Sequence, residues 1–154
     1  MPDLRDYLAT LHDLAASGAP FVIIGSCALE LHGVALAELG PKDCDVACDA
    51  ARIAPLVDAL AAAGWDLRVW GEPLRRPLDP AQIAGKFYVR ATRGACSLDL
   101  DHELPVPFAA MWADHLVRDG LPLATLEHVV ALKRLRNSPR DLAQLARLAV
   151  LPGA

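Results

Sequence analysis

No apolar run in this sequence approaches the ~20 residues needed to cross a bilayer, so a helical membrane span is excluded. A signal peptide is not expected either. The opening stretch MPDLRDYLATLHDL is punctuated by charge and reads as an amphipathic helix, which makes cytoplasmic residence without a membrane partner the expectation. Positive charge is not in excess either. The formal net charge is −4, which argues against a protein built mainly to coat nucleic acid. Local basic sites remain at Arg75-Arg76, Arg90, Arg93 and the stretch from Lys133 to Arg140. Cysteines number only four, and their spacing fits neither a disulfide framework nor a zinc site. In an extended KDCDVACD, Cys44, Val46 and Cys48 point one way while Asp43 and Asp45 point the other. Cys96 shares its parity with Leu98 and Leu100. These cysteines read as small core hydrophobes in a reducing compartment. Internal repeats and low-complexity tracts are absent.

What is present is a chain that folds. Its 154 residues are 54% hydrophobic and 22% charged, enough for one substantial core. Residues 3 to 17 carry Leu4, Tyr7, Leu8, Leu11 and Leu14 at helical spacing, and Gly18 and Pro20 end that helix. FVIIG is a short strand of the kind buried on both faces. SCALELHG reads as a helix, and KDCDVAC as the second strand. Residues 50 to 63 form another helix, and WDLRVW is strand-like. The proline-rich GEPLRRPLDPAQIAG is a surface connection with at most a short helix near its end. KFYVRAT and ACSLDLDHEL are two strands of a hairpin turning at Arg93-Gly94. A helix is expected over about 108 to 118, another from Thr125 to about Asn137, and a last one from Pro139. The spacing thus predicts an α/β (α+β) fold with one domain over 1–154. Residues 1–17 are its N-terminal helix, 18–104 the core sheet and helices, and 105–154 a C-terminal helical part.

The carboxylates carry the chemistry. Asp43 and Asp45 share one strand face, and Asp99 and Asp101 share a face on a second strand. Like charges that close repel unless something compensates them. Two apolar strands with acidic residues at i and i+2 suggest one shared cluster, stabilised most naturally by a divalent cation. Oxygen-only ligands favour Mg²⁺ or Mn²⁺ over zinc. Gly25-Ser26, where a strand turns sharply into a helix, supplies backbone N–H groups and a hydroxyl suited to phosphate. Lys133 falls in the middle of an apolar helix stripe, so it either snorkels outward or reaches an internal acidic or phosphate group. His32 and His102 read as hydrogen-bonded bystanders, and Trp65 and Trp70 as core or interface.

Gly25-Ser26, Asp43-Cys44-Asp45 and a later Asp99 or Asp101 together resemble the signature of the DNA polymerase β-like nucleotidyltransferase superfamily. Within it, GSCALELHG and the gap to KDCDV look most like the minimal bacterial AbiEii-type group, often toxins or antitoxins of paired systems. Lys133 and Arg140-Asp141 match that group's C-terminal element, and the resemblance covers roughly residues 18 to 148. It implies a nucleotidyltransferase fold: a small mixed sheet flanked by helices, with a C-terminal helical pair. It also implies transfer of a nucleoside monophosphate from a nucleoside triphosphate to an acceptor hydroxyl on RNA, protein or a small molecule. Asp43, Asp45 and Asp99 would hold Mg²⁺ or Mn²⁺, and Asp99 or Asp101 would help deprotonate the acceptor. Gly25, Ser26, Lys42 and Lys133 would bind the nucleotide, and a cognate toxin or antitoxin would be a further partner. ELGPKD places Glu38 and Pro41 where that family usually has a basic residue and a threonine or serine. This motivates an alternative, a degenerate member acting as a nucleotide- or partner-binding module.

Overall fold

The computed structural model describes residues 1–149. Helix α1 (Arg5–Ala16) buries Tyr7, Leu11 and Leu14, and packs against α3 (Ala54–Ala62) and β8 (Leu121–Leu123). Strand β1 (Phe21–Ile24) is buried at every position, as its unbroken apolar run requires. It runs directly into the short helix α2 (Gly25–Leu31). After a 3₁₀ turn at Ala37–Leu39, β2 (Cys44–Cys48) returns antiparallel to β1. Then come β3 (Asp66–Val69), β4 (Glu72–Pro73), α4 (Pro80–Ile83), and the hairpin of β5 (Tyr88–Arg93) and β6 (Cys96–Asp101).

The sheet has eight strands in the order β4-β3-β5-β6-β2-β1-β8-β7, with β2–β6 and β1–β8 parallel and the other pairs antiparallel. It is wider than the small sheet expected. The helix anticipated over 108 to 118 stops early: α5 covers only Phe108–Ala113, and β7 (Leu116–Arg118) and β8 follow as a hairpin. Asp119 and Gly120 both take positive φ, the backbone a tight two-residue hairpin turn needs. Strands of three residues are too short to show a period of two, which is why the helical pattern concealed them.

The C-terminal helical pair forms where expected. The Thr125 side chain accepts from His128 N–H to cap α6 (Leu126–Arg136), and Asn137 closes it in the left-handed conformation. Ser138 and Asp141 form a reciprocal capping box on α7 (Pro139–Leu148), whose Pro139 stands in the first turn. Helix α6 packs on both α2 and α7. The cysteines are free, and Cys27, Cys44 and Cys48 are buried as core residues. No helix among the described residues is long and apolar enough to cross a membrane.

Candidate active site

Register builds the site. Asp45 on β2 pairs directly with Asp99 on β6, and Ile24, the last residue of β1, lies opposite Asp45. Strand alternation then puts Asp45, Asp99 and Asp101 on one face, with Cys44, Val46, Leu98 and Leu100 buried on the other. One carboxylate oxygen from each of the three aspartates lies within 4.8 Å of the others. Burial, reinforced by the charge of Asp99, pushes the Asp45 carboxyl up to about 6. Burial also pushes Asp101 well above the usual carboxylate range, with Asp45 and Asp99 adding to the effect.

Asp43 is not part of this triad. Strand β2 begins at Cys44, so Asp43 lies on an exposed bend where alternation no longer aims its side chain. Its charge still acts on Asp45 and Arg90. Of the expected Asp43, Asp45 and Asp99, the structure brings Asp45 and Asp99 together with Asp101, and Asp43 lies outside that cluster. Lys42 is exposed on the same bend, and its carbonyl accepts from the Tyr7 hydroxyl at 2.6 Å.

The triad borders a cleft of about 440 Å³ that also takes in Gly25, Tyr88, Arg90, Lys133 and Arg136. Gly25 has φ +68°, and a Cβ there would stand 3.0 Å from an Asp45 carboxylate oxygen. Glycine thus meets two demands at once, the turn and the close approach. Ser26, the next residue, turns toward the C-terminal pair. Its Oγ accepts from Gln144 Nε2 at 2.8 Å and lies 3.5 Å from Lys133 Nζ. With its lone pairs so used, the hydroxyl proton remains free to donate.

Lys133 does not snorkel. Its side chain is 2% exposed and pairs with the fully buried Asp141 at 3.3 Å. Burial lowers its pKa, and the Asp141 charge opposes that shift. His32 is a bystander as expected, its Nε2 2.8 Å from the Ala124 carbonyl. The His102 ring is wholly buried with neither nitrogen hydrogen-bonded, and burial lowers its pKa. Trp65 is core, whereas Trp70 is 58% exposed.

The sequence reading did not connect Arg90 to the site. Its guanidinium grips Asp99 with two hydrogen bonds, Nε to Oδ1 at 2.9 Å and Nη2 to Oδ2 at 3.0 Å. The hairpin turns at Gly94-Ala95, one residue later than the Arg93-Gly94 expected, and that register sets Arg90 opposite Asp99. Asp141, singled out with Lys133 through the resemblance, supports the site by pairing with Lys133, whereas Gln144 on the same helix was not anticipated.

No protein-family model matches the chain, and no curated protein matches it. Solved structures do. One from Helicobacter pylori, described provisionally as a nucleotidyltransferase, aligns with a TM-score of 0.59 at 17% identity, over 95% of this chain and 66% of its own. The Helicobacter pylori protein JHP933 aligns with a TM-score of 0.56 at 18% identity, again over 95% of this chain and 66% of its own. The chain thus spans just under two thirds of the length of these neighbours. At such identities the likeness establishes the fold, a mixed α/β nucleotidyltransferase-like architecture.

Proposed function

We propose that this protein is a metal-dependent nucleotidyltransferase that moves a nucleoside monophosphate from a nucleoside triphosphate to an acceptor hydroxyl. The observation that carries the reading is the convergence of Asp45, Asp99 and Asp101 in a cleft shared with Gly25 and Lys133. The residues fit a hard divalent cation: the donors are all oxygen, and two of the acids are pushed up by burial and mutual charge. Mg²⁺ or Mn²⁺ held by the triad would polarise the phosphate under attack and spread its developing charge. Asp43 adds a further carboxylate at the rim.

The chain's own groups supply the rest. Gly25 brings backbone close to a phosphate, and the Ser26 hydroxyl donates to it. Lys133 offsets charge accumulating on the triphosphate. Asp99 is occupied by Arg90, so Asp101 is the better placed of the two to accept the hydroxyl proton. In chemistry of this kind positioning and electrostatics do most of the catalysis. A place in a paired toxin–antitoxin system belongs to the proposal through the sequence resemblance.

A second reading, a nucleotide- or partner-binding module without chemistry, draws on the Arg90–Asp99 pair, which already compensates one triad acid from within. Incubation with each α-labelled nucleoside triphosphate, Mg²⁺ and total RNA or protein separates the two. Transferred label supports the enzyme. A nucleotide-dependent rise in melting temperature without product supports the module. Neither result would remove both.

Lys133 gives a narrower check. Lys133→Met should lower nucleotide affinity or turnover roughly ten- to a hundredfold, the worth of one charge-assisted hydrogen bond. Arg134→Met, at an exposed neighbouring position, should change little. Equal small effects on both would leave the site without its cation.

A further inference from the structure

Beyond the triad, one sheet face stays bare. Register sets Tyr88 opposite Asp101, Arg90 opposite Asp99, and Arg68 opposite Arg90. These side chains therefore continue the triad's face outward across β5 and β3. Arg68 and Arg90 are exposed there. Tyr88 and Arg90 line the active-site cleft and also a second hollow of about 220 Å³ that reaches Arg68 and Trp70.

The strip ends in rings held out to solvent. Trp70 is 58% exposed and Phe87 is 54% exposed, with ring centroids 6.5 Å apart. Both take positive φ, 48° and 68°, a backbone state that bulky side chains rarely adopt. A hydrogen bond of 3.1 Å from the Trp70 indole N–H to the Lys86 carbonyl fixes one ring. Cations sit over the rings: Lys86 Nζ is 4.1 Å from the Trp70 centroid, and the Arg90 guanidinium is 5.1 Å from that of Tyr88. The acids nearby are Asp66, paired with Arg68, Glu72 in the adjoining hollow, and Glu103, whose backbone N–H donates to the Phe87 carbonyl and whose carboxylate accepts from Gly85 N–H.

We infer that this strip binds a single strand of nucleic acid and leads its terminal hydroxyl to the triad. The inference rests on the nucleotidyl-transfer reading for the direction of approach, but not for binding. Flat rings alternating with cations match unstacked bases alternating with phosphates. A duplex hides its base faces and cannot use the rings. Protein interfaces also use tryptophan, tyrosine and arginine. A nucleic-acid strand is favoured here because the rings and cations run in single file outward from the triad, and a protein partner is an outcome of the test. Three cations, Arg68, Lys86 and Arg90, line this strip. Arg68 is paired with Asp66 and Arg90 with Asp99, which leaves Lys86 over the Trp70 ring as the cation for phosphate.

Fluorescence anisotropy tests it, with a fluorescein-labelled single-stranded RNA, the same sequence as DNA, and the RNA duplex, in Mg²⁺ without nucleoside triphosphate. The protein should prefer either single strand to the duplex. Trp70→Ala should weaken single-strand binding roughly tenfold or more, the usual worth of one base–aromatic stack. Lys86→Ala should weaken it less and flatten its salt dependence. Arg52→Ala, exposed and outside the strip, should leave it unchanged. Equal affinity in wild type and Trp70→Ala, a preference for duplex, or no binding would overturn the inference. Label transferred to protein with no strand binding would spare the transfer reading and sink this one. Trp70-dependent strand binding with no transfer in the labelling assay would do the reverse.

Discussion

Replacing Asp45 by asparagine is expected to stop nucleotidyl transfer while making the metal-free protein more stable. The two effects share one cause. Asp45 faces Asp99 and Asp101 within 4.8 Å, and burial together with the charges of Asp99 and Asp43 raises its carboxyl from 3.8 to about 6. Between those two values the folded protein holds a proton that the unfolded chain has released. Stability therefore falls as pH rises through that window, and the full penalty is present above about pH 6. The shift corresponds to at most about 3 kcal/mol. Asparagine keeps the shape and removes the penalty, so the variant should melt higher than wild type near pH 7 and about equally near pH 4. Mn²⁺ should raise the wild-type melting temperature by several degrees, as linkage at saturating ligand requires, and should do little for Asp45→Asn. Loss of a metal ligand at the reacting centre removes several kcal/mol of transition-state stabilisation, so transfer should fall roughly a thousandfold or more. Melts across pH and labelled-nucleotide assays on the same preparations check all three. Retained transfer would remove Asp45 from the active site.

The acidic strands were legible in the sequence because a period of two needs only local information. Cys44, Val46, Leu98 and Leu100 went to the core and Asp45, Asp99 and Asp101 to the cleft, as alternation demands. Asp43 stands outside the triad because β2 starts at Cys44, β1 pairing with it only from Ile24 opposite Asp45, although the Asp43 charge still acts on Asp45. The wide sheet was hidden because β7 and β8 have three residues each, and β8 is placed by its parallel pairing with β1, about a hundred residues earlier. Lys133 could be recognised as misplaced on an apolar stripe; helical spacing did not show its partner, although the resemblance named Asp141 beside it. Whether a lysine snorkels or stays buried depends on what approaches from elsewhere. Here that is Asp141, brought in by the sharp turn at Asn137.

Asp141→Asn should be the most damaging single change to the fold. Asp141 is fully buried and accepts from Lys133 Nζ at 3.3 Å, Arg136 Nε at 2.8 Å and Nη2 at 2.6 Å, and the Ser138 hydroxyl at 2.6 Å. Burial alone would raise its pKa, but the hydrogen bonds from Arg136 and Ser138 and the Lys133 charge hold it well below the usual range. Such a depressed acid contributes stability that is present above its ordinary value of about 4 and lost as pH falls below it. Asparagine removes the charge but leaves Lys133 buried and unpaired, a loss of about 3–5 kcal/mol. For a chain of this size that lowers the melting temperature by roughly 10–15 °C near pH 7, and by much less in acid. Lys133→Met should cost less, since Arg136 and Ser138 still satisfy Asp141. Pairing Lys133→Met with Asp141→Leu should recover much of the loss, because a buried pair replaced whole leaves no orphan charge. Thermal melts of the single and double variants at two pH values decide the matter. If Asp141→Asn melted within a degree or two of wild type, the network would be ornamental. Transfer should also fall in the folded fraction of Asp141→Asn, because the same helix pair holds Lys133 at the cleft and, through Gln144, fixes Ser26.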